Sequence, residues 1–224
     1  SEKLSKKQAN ELSGIDSIYF IDDFKHVLSS IATKVDTFYI NKNEHYRANS
    51  PVETREDRFI SWLLKNYPAH NVAKSNPILQ RQRSIKHPDE IDQIKKACDI
   101  TRKGFNRVLK FIKPDVWEYE IEAEFIHEFI NSSSKGFAYS PIIASGNDNN
   151  VLHYIKNNKQ CKSGELILMD VGAEYGNYSS DMTRTVPVSG KFTKRQKEIY
   201  NAVLRVKNEA TKLLHGKSAA IKAE

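Results

Sequence analysis

The amino-acid sequence predicts an α/β protein of the mixed α+β kind, built in two parts. Residues 1–84 alternate strand-like and helix-like segments. Residues 85–224 begin with two long amphipathic helices and continue into short apolar runs separated by turn residues. The chain has 224 residues, which is enough for one large domain or two small ones. Its 39% hydrophobic and 28% charged residues are typical of a globular protein.

The first part is predicted to contain a small parallel sheet. After a short helix at residues 6–12, strand-like runs occur at residues 16–21 and 35–40. A helical pattern over residues 24–31 follows the first run, and another over residues 55–67 follows the second. This order favours parallel pairing of the strands. No glycine-rich loop follows either run, so the sequence does not support a nucleotide site.

A polar link over residues 75–86 is predicted to separate the two parts, with the domain boundary near residue 84. The predicted domains are therefore 1–84 and 85–224. The second domain is predicted to contain helices at 88–113 and 116–133, a strand at 139–145, and a last helix at 193–214 whose core face is formed by Ile199, Val203, Val206 and Leu213.

Composition excludes several classes of protein. No stretch approaches the roughly 18–20 consecutive apolar residues that span a bilayer, so we expect no membrane association. The net charge of +7 is spread along the chain among acidic residues, which argues against nucleic acid as a partner. The two cysteines, Cys98 and Cys161, form no disulfide pattern, so a reducing cytoplasm is expected. Cys98 is predicted to lie on the apolar face of a helix, in the core of the protein.

The residues most indicative of function lie in the stretch 166–188, LILMDVGAEYGNYSSDMTRTVPV. An apolar run ends on Asp170, turn residues follow, and a second acid, Asp181, comes eleven positions later. Two carboxylates delivered from neighbouring strands repel each other, and a divalent cation relieves that repulsion. The alternative is that Asp170 ends a strand and Asp181 is a surface turn residue.

A histidine precedes this stretch in a polar loop. His153 could donate to a carbonyl oxygen or stabilise an intermediate beside a metal site. Alternatively, it is a surface loop histidine without a catalytic task. His127 is followed by a glutamate, but Asn131 stands where a zinc-binding helix would need its second histidine.

These motifs resemble those of a known family. The segment that begins at Met169 is similar to the first metal-binding segment of the Xaa-Pro aminopeptidases (aminopeptidase P type), which are pita-bread metallopeptidases. The similarity lies in Asp170, Gly172 and the run from Asp181 to Thr185, DMTRT. The preceding SGNDNNVLHY resembles the family's substrate-side loop, with His153 at the histidine position. The resemblance implies part of an N-terminal α/β domain over 1–84, followed by the first half of a pita-bread catalytic domain over 85–224.

The resemblance also implies roles for individual residues. Asp170 is expected to bind one metal ion in a bidentate manner, and Asp181 to bridge two, with Thr183 supporting them. The ions would be manganese, with cobalt or zinc as alternatives. His153 would help to hold the substrate or the tetrahedral intermediate. The family's remaining ligands, one His and two Glu, come from the second half of the domain, so we expect this chain to be an inactive fragment that binds metal weakly.

The implied reaction is hydrolysis of the peptide bond before proline, which releases the N-terminal residue of a peptide with proline in second position. Two alternatives are a prolidase acting on Xaa-Pro dipeptides and a non-catalytic pita-bread module that binds peptides or proteins. A homo-oligomer, dimeric or tetrameric, is expected, because a half-domain exposes apolar surface.

Overall fold

A computed structural model describes residues 3–41 and 52–217. The chain divides into two compact units, Ser1–Lys86 and His87–Glu224. Within the described ranges, no helix is both long enough and apolar enough to cross a membrane.

The first unit is a two-stranded parallel sheet with helices around it. Strands β1 and β2 pair in parallel, with Phe38 opposite Val72. Phe38, Ala32 and Leu63 are buried and form its small core. The elements in chain order are α1 (Lys6–Ser13), α2 (Phe24–Ala32), β1 (Thr37–Ile40), α3 (Arg55–Asn66), β2 (Asn71–Lys74) and α4 (Asn76–Ser84).

Parallel pairing is therefore present, but the strand predicted at residues 16–21 is wrong. Residues 17–20 have no regular structure, and a 3-10 turn occupies Ile21–Asp23. The N–H of Phe20 donates to Oδ2 of Asp23 at 3.3 Å, which caps this turn. Tyr19, Phe20 and Ile21, which helped to suggest a strand, are more than half exposed. A local cap satisfies the backbone here, and no neighbouring strand in the described ranges does.

The segment predicted as a polar link, residues 75–86, is helical over most of its length, because α4 covers Asn76–Ser84 and buries none of its residues. Pro77 lies in the first turn of this helix, where a missing N–H costs no hydrogen bond. The strand at Asn71–Lys74 gave no sequence signal, since it has only four residues and buries none of them fully.

The second unit is organised by two helices that pack closely, α5 (Pro88–Phe111) and α6 (Glu118–Asn131). Gly104 lies at their contact, where a Cβ atom would come within 2.7 Å of the Phe129 ring. Phe105 and Phe125 meet edge to face at 5.0 Å between ring centroids. The prediction that Cys98 lies in the core is wrong, because its side chain is exposed one position away from the buried Ala97.

Six strands follow these helices and form two antiparallel sheets, in the orders β4-β5-β8 and β3-β6-β7. In β5, Ile167, Met169 and Val171 are buried, and the alternate residues face the other side. The buried set packs into the same core as Phe125 and Phe129. The strands are β3 (Gly136–Phe137), β4 (Ile142–Ser145), β5 (Leu166–Val171), β6 (Ala173–Tyr175), β7 (Tyr178–Ser179) and β8 (Met182–Pro187).

The last helix, α7 (Lys194–Lys217), has the predicted position, but its predicted core face is wrong. Four apolar residues on α7 are half or more exposed: Ile199 (50%), Val203 (63%), Val206 (66%) and Leu213 (70%). The helical spacing that predicted a buried face is present, yet no element in the described part of the chain covers it. A large apolar face left open is typical of an interaction surface.

Candidate metal centre

The structure brings Asp170 and Asp181 together around a third side chain. Asp170 is the penultimate residue of β5 and lies opposite Thr183 of β8, and Asp181 immediately precedes β8. The hydroxyl of Tyr139 donates to Oδ1 of Asp170 at 2.7 Å and to Oδ1 of Asp181 at 3.2 Å. Both carboxylates therefore lie within hydrogen-bond reach of a single oxygen atom.

Tyr139 keeps its proton under all ordinary conditions. Burial and the hydrogen bond to Asp170 raise the pKa of this phenol well above its usual value. The protonated hydroxyl is thus a donor, and its single proton is shared between one oxygen of each acid. The sequence gave no sign of this role, because Tyr139 was simply the first residue of the strand predicted at 139–145. Pairing of β3 with β6 before it and of β4 with β5 after it places Tyr139 beside Asp170.

Gly172 explains how two strands can carry acids this close together. A Cβ atom at this position would lie 1.8 Å from the carbonyl oxygen of Ser180 and 3.0 Å from the Tyr139 ring. Only glycine lets the end of β5 approach the backbone just before Asp181 this closely. The spacing Asp-x-Gly therefore has a steric cause, separate from any turn conformation.

A buried hydrogen-bond network holds the residue before Asp181 in place. Thr101 of α5 and Ser180 share a hydrogen bond between their hydroxyls at 2.7 Å. The N–H of Ala173 donates to the hydroxyls of Thr101 and Ser180 at 2.8 and 3.0 Å. In the sequence, Thr101 occurs among the apolar residues that form the core face of α5. In the structure it is fully buried, and its hydroxyl takes part in these hydrogen bonds. This contact fixes the segment that delivers Asp181 to the centre.

Thr183 and His153 occupy different positions relative to the two acids. Thr183 pairs directly with Asp170, so the two side chains lie on the same face of the sheet. His153 is exposed in the loop that follows β4, at a backbone φ of 55°. No hydrogen bond joins it to Asp170 or Asp181 in the part of the chain that the structure describes.

The chemistry of these donors fits a part of a divalent-cation site. Carboxylate oxygens are the ligands that hard divalent ions prefer. Across residues 3–41 and 52–217, however, no group of three or more His, Cys, Asp or Glu side chains comes together. Asp170 and Asp181 can hold an ion only together with further donors.

Residues 92–221 match the model of metallopeptidase family M24, which is more than half of the chain. The chain belongs to metallopeptidase family M24. Membership implies divalent metal ions, in agreement with the two converging carboxylates. The identification also accounts for the resemblance of the Asp170 and Asp181 segments to the Xaa-Pro aminopeptidases.

Sequence similarity to individual proteins agrees with membership of this family. The chain is 32% identical over 212 residues to Xaa-Pro aminopeptidase of Haemophilus influenzae, which covers 95% of this chain and 47% of that protein. It is 32% identical over 203 residues to human Xaa-Pro aminopeptidase 3, covering 90% of this chain and 39% of the relative. The chain thus spans about half the length of the relatives it matches, or less.

Solved structures of the family superimpose closely. Zinc-substituted aminopeptidase P of Escherichia coli in complex with product matches with a TM-score of 0.81 at 30% identity, over 91% of this chain and 47% of that one. Proline aminopeptidase P II of Yersinia pestis matches with a TM-score of 0.80 at 27% identity, over 93% and 48%. The predicted mixed α/β class with a pita-bread relationship is confirmed.

The steric role of Gly172 leads to a first prediction. In a Gly172→Ala variant the methyl group meets the Ser180 carbonyl, so the backbones must separate. We expect the free energy of unfolding, measured by urea denaturation, to fall by about 1–3 kcal/mol or more. Ser179→Ala, an exposed change on the neighbouring strand, should stay within about 0.5 kcal/mol of the parent chain. A Gly172→Ala variant as stable as the parent would show that the close approach is not a constraint.

Proposed function

We propose that this chain supplies two metal ligands of a metal-dependent aminopeptidase, which releases the N-terminal residue of a peptide with proline in second position. The observation that carries the proposal is the convergence of Asp170 and Asp181 on the hydroxyl of Tyr139. The names of the relatives support the reaction class. A non-catalytic binding module would need neither acid, so the paired carboxylates favour the enzyme.

The residues of the chain have distinct tasks in this proposal. Asp170 and Asp181 hold the ions, and Tyr139 keeps one oxygen of each acid turned toward the shared centre. Thr183 supports Asp170 from the paired strand. His153 donates to the substrate from its exposed loop. Divalent ions held there, with manganese proposed and cobalt or zinc as alternatives, would activate a water for attack on the peptide bond.

A second prediction tests the ligand role of Asp181 in a polypeptide that joins this chain to the remaining length of its relatives. Asp181→Ala should lower manganese-supported turnover of an Xaa-Pro-Xaa tripeptide by at least about 100-fold, because ligands matter at least as much as their supports. Circular dichroism should show an unchanged fold. Asp92→Ala, which removes an exposed acid from α5, is the control and should keep full turnover.

The same assay separates the alternative substrates. Cleavage of an Xaa-Pro dipeptide in preference to the tripeptide would favour a prolidase. A folded protein that cleaves neither would favour a binding module. Full turnover by the Asp181→Ala variant would contradict the assignment of Asp181 as a ligand.

A third prediction concerns the 224-residue chain alone. Two carboxylates provide too few donors for a tight site, and two like charges face each other there. Calorimetric titration with manganese should therefore show binding in the micromolar range or weaker. Asp170→Asn should remove the remaining heat, whereas Asp92→Asn should not. Sub-micromolar binding by the chain alone would show that further donors complete the site.

We also propose that the chain forms a homo-oligomer, a dimer or tetramer, through the open face of α7. A cleft of about 500 Å³ lies between β8 and α7 and is lined by Thr183, Ile199 and Val203 among others. Apolar surface of this kind favours association with a second copy.

Sedimentation provides the fourth prediction. The chain should sediment as a concentration-dependent oligomer, and Val203→Asp should shift it toward monomer by placing a charge on the apolar face. Asn201→Asp introduces the same charge at an exposed polar position of α7 and should leave the distribution unchanged. A monomer at high concentration in the parent chain would contradict the proposal.

A cytoplasmic location, without nucleic-acid or membrane partners, completes the proposed function. Cys98 and Cys161 are both free thiols. Burial raises the pKa of the Cys161 thiol to about 11, so it stays protonated and inert. Unpaired cysteines are typical of a reducing compartment.

A further inference from the structure

A buried carboxylate outside the metal centre joins α6 to the loop that carries His153. Glu118 lies in the first turn of α6 and is fully buried. Its Oε1 accepts hydrogen bonds from the N–H and the hydroxyl of Ser145, both at 2.7 Å. Its Oε2 accepts from the hydroxyl of Tyr154 at 2.7 Å and from the N–H of Lys159 at 3.0 Å. One side chain therefore contacts the loop at its beginning, middle and end.

The backbone of this loop requires such support. His153 and Asn157 have φ values of 55° and 42°, in the left-handed region that is uncommon for non-glycine residues and that asparagine and histidine enter more often than most. Asn157 is anchored to β4, since its Oδ1 accepts from the N–H of Ile143 at 3.0 Å. His153 is exposed, and its neighbour Tyr154 provides the nearest anchor, through the hydroxyl bound to Glu118.

The identity of the side chain at position 118 follows from its partners. All four groups that point at it are donors, so both of its terminal atoms must be acceptors. Glutamine has the same shape, but its NH₂ group would face the N–H of either Ser145 or Lys159, and a backbone N–H cannot accept a hydrogen bond. An apolar residue would leave the N–H groups of Ser145 and Lys159 without an acceptor. Because burial of a charge costs desolvation, a carboxylate here contributes defined geometry more than stability.

We propose that Glu118 is a positioning residue for His153. Its carboxylate fixes the loop at Ser145, Tyr154 and Lys159, and so holds His153 in its left-handed backbone conformation. This role extends the proposed function, on which it rests, because it assigns a purpose to the loop only if His153 meets the substrate. The position of the loop itself can be tested without any assay of turnover.

Nuclear magnetic resonance of the 224-residue chain provides that test. In Glu118→Gln, the N–H of Ser145 or that of Lys159 loses its acceptor. We expect the α-carbon shift of His153 to leave its left-handed value, and amide exchange at Ser145 or Lys159 to accelerate about tenfold or more. Tyr154→Phe removes one donor only and should change the same signals in the same direction by less. It also keeps the test decisive if Glu118→Gln fails to fold.

Glu120→Gln is the matched control. Glu120 lies in the same helical turn and accepts from the N–H of Trp117 at 2.7 Å, a capping bond that glutamine makes equally well. It should leave the His153 signals unchanged. Unchanged His153 shifts in a folded Glu118→Gln variant, or in Tyr154→Phe if the former does not fold, would overturn the proposal.

The link to turnover is tested separately in the longer polypeptide. His153→Ala and Glu118→Gln should each lower kcat, and the double variant should lose no more than His153→Ala alone, because Glu118 acts through His153. Additive losses would overturn the positioning role. If His153→Ala retains full turnover, the proposed function of His153 fails, while the resonance measurements still decide whether Glu118 fixes the loop.

Discussion

The contact between the backbones of Gly172 and Ser180 is the constraint on which the candidate centre depends. It draws the end of β5 against the segment just before β8, where no side chain could be accommodated. Asp170 and Asp181 flank this contact, so their carboxylates lie close together. Thr101 and Tyr139 then complete the arrangement from two sides, one by anchoring Ser180 and the other by donating to both acids.

Sequence reasoning was most successful where periodicity and local chemistry agree. The long helix α5 was predicted from apolar spacing and a proline in its first turn, α6 was predicted from apolar spacing, and both are present. Asp170 and Asp181 were singled out because an apolar strand ended on an acid and a second acid followed a turn. Their meeting could be anticipated because hairpin-like strands bring nearby sequence together.

Failures occurred where the deciding contact joins distant parts of the chain. Thr101 and Glu118 have no sequence signature. A polar residue in a helical segment is usually interpreted as solvent-exposed, or as an isolated polar residue on the apolar face of the helix. Their partners, Ser180 and Tyr154, lie 79 and 36 residues away. The strand predicted at residues 16–21 of the first unit is wrong for another reason. An apolar cluster near Tyr19 suggested a strand, but a strand needs a neighbouring strand to pair with. A local capping hydrogen bond forms there instead.

Strict alternation along β5 has a consequence for how this protein can change in length. Met169 packs in the core while Asp170 faces the candidate centre, so the insertion or deletion of one residue within the strand would exchange the two faces. An acid would then enter the core, and a thioether would take the place of a candidate ligand. Variation in length is tolerable instead at the tip of the hairpin formed by β6 and β7, where Gly176 and Asn177 form the turn with positive φ values. A change in length at that tip leaves the pairing of β5 with β8 in register, so both acids keep their places.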